Sequence, residues 1–157
     1  MPKNFKNLHF PAKMSDFYTV LDGRIRGSLS ADTGCRACGK CCDFDSFDHR
    51  LFITQAELFY LEHHLQPHAL KPMPGGVCPY RVDGKCSIHE HRFAGCRIFF
   101  CSGDERQQSE TTEWALSELR RIHTEFKIDY RYMDLATALN TARPHQEKSC
   151  RSQLSGE

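Results

Sequence analysis

Cys35-Arg36-Ala37-Cys38-Gly39-Lys40-Cys41-Cys42 is the stretch on which the reading of this chain turns. Three cysteines spaced by two residues, with a fourth directly attached, form an array rather than a scatter. Outward from it comes a gap of 35 residues, then Cys78-x7-Cys86-x9-Cys96-x4-Cys101. Cys150 stands apart in a polar segment. Eight of the nine cysteines therefore fall between Cys35 and Cys101, a local density above the ~8–10% that marks a scaffold organised by disulfides or metal.

Three readings compete for these thiols. An even count favours a disulfide framework. Against it, Lys3, Lys6 and Lys13 have no apolar segment behind them, so no secretory signal is visible. The expected compartment is then the cytoplasm, which keeps thiols reduced. Buried structural cysteine is the second reading, but Arg36, Gly39 and Lys40 between the sulfurs are not a core pattern. Metal ligation is the third and the preferred one, because two intervening residues let consecutive thiolates converge on one small centre. Gly39 suits such a loop, which needs positive φ and an unobstructed backbone N–H. Cys35, Cys38 and Cys41 reproduce the C-x2-C-x2-C core of bacterial ferredoxins, and Cys78-Pro79 echoes their remote ligand. That tilts the expected centre toward an iron–sulfur cluster, 4Fe–4S favoured, with zinc as the alternative. Four thiolates around Zn²⁺ or around an oxidised cubane leave a net charge of about −2. Lys40, Lys85, Arg92 and Arg97 are the cations within the cysteine window that can answer it.

Asp83-Gly84 between Tyr80-Arg81-Val82 and Lys85-Cys86-Ser87 predicts a two-residue type I′ hairpin. In regular register Val82 faces Lys85, Cys78 faces His89, and Cys86 points to the opposite face from Cys78. Either the hairpin frays at Pro79 and Cys78 swings round, or the two cysteines serve different centres.

Taken together, Cys35-x2-Cys38-x2-Cys41-Cys42, Cys78-Pro79, Cys86-Ser87-Ile88 and Cys96-Arg97-Ile98-Phe99-Phe100-Cys101 resemble the CxxCxxCC, or YkgJ-type, cysteine cluster family. That family is described as a zinc- or iron-chelating domain, and its members are often labelled iron–sulfur proteins. The resemblance implies that Cys35, Cys38, Cys41, Cys42, Cys78, Cys86, Cys96 and Cys101 are the ligands. It implies no shared activity. Two departures stand out. The family's Ile-Tyr-Glu-x-Arg-Pro is Ile88-His89-Glu90-His91-Arg92-Phe93 here, and the residue before the last cysteine, commonly Pro, is Phe100. His89 and His91 are thereby candidate nitrogen ligands, or simply surface and hairpin histidines. Asp43, Asp45 and Asp48 are candidate oxygen ligands, or solvated acids of an irregular loop around Phe44 and Phe47.

The remainder of the chain predicts helices. Ser15 is expected to cap a first helix to about Leu29 with Phe17, Leu21, Ile25 and Leu29 on one face. Arg50 to Ile53 reads as extended, and Thr54-Gln55-Ala56-Glu57 as a capping box opening a helix through His64. His63, His64 and His68 sit at its end, where positive charge suits the helix dipole. Pro67, Pro72, Pro74 and Gly75-Gly76 form a breaker-rich loop that returns Cys78 to the first array. A longer helix is expected from Thr112, with Trp114 in its first turn and Ala115, Leu119, Ile122 and Phe126 as its buried stripe. A last helix is expected over Tyr132 to Asn140, presenting Leu135, Ala136 and Leu139. Residues 143–157 are expected to be a disordered tail that includes Cys150.

With 157 residues, 39% of them hydrophobic, the chain has room for one domain, taken as 1–142. A formal charge of +1 lacks the basic footprint of a general nucleic-acid binder or a polybasic membrane-surface protein. No apolar run approaches the ~20 residues that span a bilayer. Phosphate-binding glycine loops, nucleophile elbows and His-Glu-x-x-His helices are absent. The expectation is a small α+β domain, mainly helical, organised around a cysteine-ligated metal centre, with one short hairpin and long irregular loops. Its expected role is metal binding. The alternatives are an iron–sulfur oxidoreductase or modification enzyme, with an open site near Asp43, Asp45, Glu90 or His91, and a thiol redox or metal-delivery protein.

Overall fold

Thr54 decides the centre of the molecule. A computed structural model describes residues 9–27, 35, 38–99 and 103–142. In it the Thr54 hydroxyl accepts the N–H of Glu57 and the Glu57 carboxylate accepts the N–H of Thr54, so the capping box is complete. It joins strand β1 (Phe52–Thr54) to helix α2 (Gln55–Leu65). Asp134 does the same one strand away, accepting the Thr137 N–H where β4 (Tyr132–Asp134) runs into α5 (Leu135–Thr141). The two strands pair antiparallel about Ile53 and Met133, with Phe52 opposite Asp134 and Thr54 opposite Tyr132. The helix expected from Tyr132 starts only at Leu135. Tyr132 and Met133 instead find backbone partners in β1, a long-range pairing that local periodicity does not show.

Helix α1 (His9–Gly27) begins six residues ahead of the expected cap at Ser15. Pro11 lies in its first turn, where a missing N–H costs nothing, and Ser15 sits inside the helix with Oγ 3.1 Å from the Tyr60 hydroxyl. Phe10, Met14, Phe17, Tyr18 and Leu21 are buried, and Leu29 lies outside the described residues. Helix α4 (Glu105–Glu125) likewise starts earlier than Thr112, because Asp104 caps it by accepting the Gln107 N–H at 3.0 Å. Trp114 is therefore mid-helix, stacked on Phe17 at 5.9 Å. Ala115, Leu119 and Ile122 are buried as expected, and His123 joins them. In α5 the buried small residue is Ala138 rather than Ala136.

Helix α2 divides the interior into two apolar clusters. Ala56 and Tyr60 pack with α1 and α4, with Ala94 and with Ile98. Leu58 and Leu61 face the other way, with Ile53, Tyr80, Phe93, Leu135 and Leu139, and with Cys42 and Cys78. The fold is thus α+β and mainly helical, and the cysteine-bearing loops are built onto one side of it. The hairpin is present as β2 (Arg81–Val82) and β3 (Lys85–Cys86), with Asp83 at φ 50° and Gly84 at φ 73° in the turn. Among the described residues, no helix is long and apolar enough to cross a membrane. The tail from 143, with Cys150, lies outside the described residues, as does Cys101.

Candidate functional site

The loop from Pro67 to Gly76 brings the two cysteine stretches together through the backbone. Cys78 donates its N–H to the Cys42 carbonyl at 2.8 Å, Phe44 donates to the Gly76 carbonyl at 2.9 Å, and Asp43 and Val77 form an antiparallel bridge. Asn140 holds the loop from α5, accepting the Met73 N–H at 2.8 Å and donating to the Met73 carbonyl at 2.9 Å. Gly39 carries φ 68°, and a Cβ there would lie 2.7 Å from the Gly84 carbonyl oxygen, so only glycine lets the first array close against the hairpin turn.

The hairpin question is answered by the ladder. Ser87 still donates to the Tyr80 carbonyl, but Arg81 turns its N–H onto the Cys78 carbonyl at 3.1 Å and pairing stops. Cys78 does not face His89. It swings round, and its thiol and that of Cys86 both interact with the Cys42 thiol. Cys41 makes a third such interaction. Cys42 is therefore a sulfur hub with Cys41, Cys78 and Cys86 around it, and Cys96, on the short helix α3 (Ala94–Ile98), lies close enough to feel the charges of those neighbours.

Proton sharing within the hub follows from this geometry. Donation toward Cys41, then Cys78 and Cys86, together with burial, holds the Cys42 thiol far above its ordinary range. The bond from Cys42 lowers Cys41 to about 6, helped by the charges of His49 and Arg92. It lowers Cys86 to about 6 as well, again with Arg92 assisting, and lowers Cys78. The Cys96 thiol is raised by desolvation and by the charges of Cys78, Cys41 and Cys86.

Of the four expected cations, Arg92 is the one whose charge reaches the hub, and its Nε is buried without a partner. Lys40 and Lys85 are exposed. Arg97 turns away. It is 5% exposed, its guanidinium donates to Asp22 at 2.7 Å and to the Glu90 and Arg92 carbonyls, and it lies over the Tyr18 ring. Asp43 accepts from the Ser46 N–H and hydroxyl, and those bonds hold its carboxyl below the usual range. Asp45 lies against Gly76 on the far side of that turn. His91 stacks on His64 at 3.9 Å rather than facing a sulfur, and its buried Nδ1 has no partner. Cys35 and Cys38 are exposed, and Cys35 Sγ lies 3.5 Å from His89 Nε2.

No family model matches the chain, and no solved structure matches it. What the site can do is read from its own chemistry. The donor set at the hub is all sulfur, with an unpartnered guanidinium N–H in its surroundings. That chemistry fits a borderline or soft metal. The sulfurs close on one another, and among the described residues no group of three or more His, Cys, Asp or Glu has the arrangement of a formed metal site. Two contributions went unread in the sequence, the reach of the capping-box residue Glu57 to Ala94 and the charge of His49 near Cys41. Glu57 is 1% exposed and accepts the Ala94 N–H at 2.8 Å, which ties the helix bearing Cys96 to the capping box. Its flanking Ala56 and Leu58 were the available signal. His49 beside Cys41 had none.

Proposed function

We propose that this chain is a thiolate metal-binding module of the CxxCxxCC type, and that Cys41, Cys42, Cys78 and Cys86 form the core of its centre. The observation that supports this is the backbone pairing of Cys42 with Cys78. It joins residues from two distant stretches and gathers four thiols without help from a disulfide, the seven described cysteines all being free. Four thiolates supply the ligand count of either tetrahedral zinc or a 4Fe–4S cluster. The ferredoxin-like spacing points to a cluster built on Cys35, Cys38 and Cys41, whereas the thiols gathered here are Cys41, Cys42, Cys78 and Cys86. Zinc and a cluster therefore stand level for this centre; a cluster would supply electron-transfer capacity where zinc would supply folding energy alone.

The chain's own residues do the positioning. Gly39 closes the first array on the hairpin, Arg92 offsets thiolate charge, and the Glu57 carboxylate fixes the helix that carries Cys96. Cys35, Cys38, Cys96 and Cys101 then complete a second centre or serve as exchangeable thiols. The exposure of Cys35 and Cys38 supports a second reading, metal delivery. Cys42→Ser tests the proposal, with Cys150→Ser as control. Loss of bound metal in the first and retention in the second is the expected result. Equal metal content in wild type and Cys42→Ser would overturn the hub, and transfer of metal to an apo-acceptor would favour delivery.

A further inference from the structure

His89 opens the single-turn segment His89–His91 that follows Cys86, and its contact with Cys35 spans 54 positions of sequence. The 3.5 Å separation of Nε2 from Sγ has two possible meanings. It is a hydrogen bond to sulfur. It is also the edge of a tetrahedral site, since a thiolate at ~2.3 Å and an imidazole nitrogen at ~2.0 Å from one Zn²⁺ lie about 3.5 Å apart.

The other ring nitrogen separates them. Arg92 NH1 lies 3.2 Å from His89 Nδ1 and donates to the His89 carbonyl at 2.7 Å. A guanidinium has donors and no acceptor. His89 Nδ1 therefore presents its lone pair, and the single proton of the neutral ring is on Nε2, aimed at Cys35. A ring bound to metal through Nε2 would carry its proton on Nδ1, against the N–H groups of Arg92. Metal-bound histidines instead offer that second N–H to a carboxylate or carbonyl.

We infer that His89 is an N–H donor to the Cys35 sulfur rather than a metal ligand, locked in its Nε2–H tautomer by Arg92, and that it positions the exposed first sulfur of the N-terminal array against the second array. The consequence for metal affinity rests on the proposed metal centre; the tautomer does not. Arg92 thus acts twice, fixing the imidazole through NH1 and bringing its charge to Cys41 and Cys86.

The test uses the full chain, purified without oxygen. Long-range ¹H–¹⁵N spectra of histidine-labelled protein identify the tautomer, and Co²⁺ titration compares wild type with His89→Gln and His89→Leu. The expected results are an Nε2–H ring for His89, Co²⁺ binding by His89→Gln close to wild type because the amide N–H replaces the ring N–H, and binding by His89→Leu weakened about tenfold or more. An Nδ1–H ring, or equal weakening by Gln and Leu, would overturn the inference. A wild-type chain that takes up no Co²⁺ would instead sink the metal reading, while the ring tautomer would still decide whether His89 is a donor.

Discussion

Replacing Glu57 should damage the fold more than any other single carboxylate described above. Its Oε2 accepts the Thr54 N–H at 2.7 Å and the Thr54 hydroxyl at 2.9 Å, and its Oε1 accepts the Ala94 N–H at 2.8 Å. Glu57 and Thr54 are almost fully buried, so no water replaces the lost acceptor. Hydrogen bonds to charged groups contribute roughly 1.5–3 kcal/mol each. Desolvation offsets part of that, and burial raises the Glu57 pKa against the pull of the Ala94 and Thr54 donors. Glu57→Ala is therefore expected to cost about 4 kcal/mol, a large share of a net stability of about 5–15 kcal/mol. Glu57→Gln keeps one acceptor oxygen, sets an NH2 against a donor, and should cost about 2 kcal/mol. Urea unfolding followed by helical circular dichroism reads both, provided the slope with denaturant stays constant. Because Ala94 opens the helix bearing Cys96, Cys96 should also alkylate faster in Glu57→Gln. A loss below about 1 kcal/mol for Glu57→Ala would refute the reasoning.

Two further outcomes follow from the same accounting. His123 is 2% exposed, with Nδ1 2.7 Å from the Leu119 carbonyl and Nε2 accepting the Ala56 N–H at 3.2 Å, and burial lowers its pKa. The folded state refuses a proton that the unfolded state accepts, so stability should hold above the ordinary pKa of ~6.5 and fall as pH drops below it toward the lowered value. Urea midpoints across pH 5–8 should show that slope in wild type and a shallower one in His123→Gln. Gly39→Ala should cost about 1–3 kcal/mol through forced positive φ and the collision with the Gly84 carbonyl, seen as a lower midpoint together with weakened metal retention.

Local chemistry was legible in the sequence and long-range pairing was not. The Thr54–Glu57 capping box, the Asp83-Gly84 hairpin and the returning loop before Cys78 each carry a short-range signature, and each is present. Helix α4 begins earlier than expected because its first turn, Asp104–Gln108, is polar and lacks an apolar stripe, whereas in α1 Phe10 and Met14 continue the stripe of Phe17 and Leu21 past Pro11 and the cap at Ser15 was the misreading. Strand β4 was missed because its pairing with β1 crosses 77 residues between Thr54 and Tyr132. At the site, spacing singled out the cysteines as candidates but could not place Cys78 near Cys86, which depends on where the hairpin ladder stops. Spacing also put Arg97 with the thiolates, whereas its length lets it reach Asp22 and stack on Tyr18 instead.

The most direct measurement is the metal content and visible absorption of the full chain purified without oxygen, paired with a count of alkylatable thiols before and after chelation. The proposal predicts a fixed amount of bound metal per chain, iron with broad visible absorption for a cluster or zinc without colour, and protection of Cys41, Cys42, Cys78 and Cys86 that chelation removes. Metal-free protein with native helicity, and with those four thiols equally reactive before and after chelation, would contradict it.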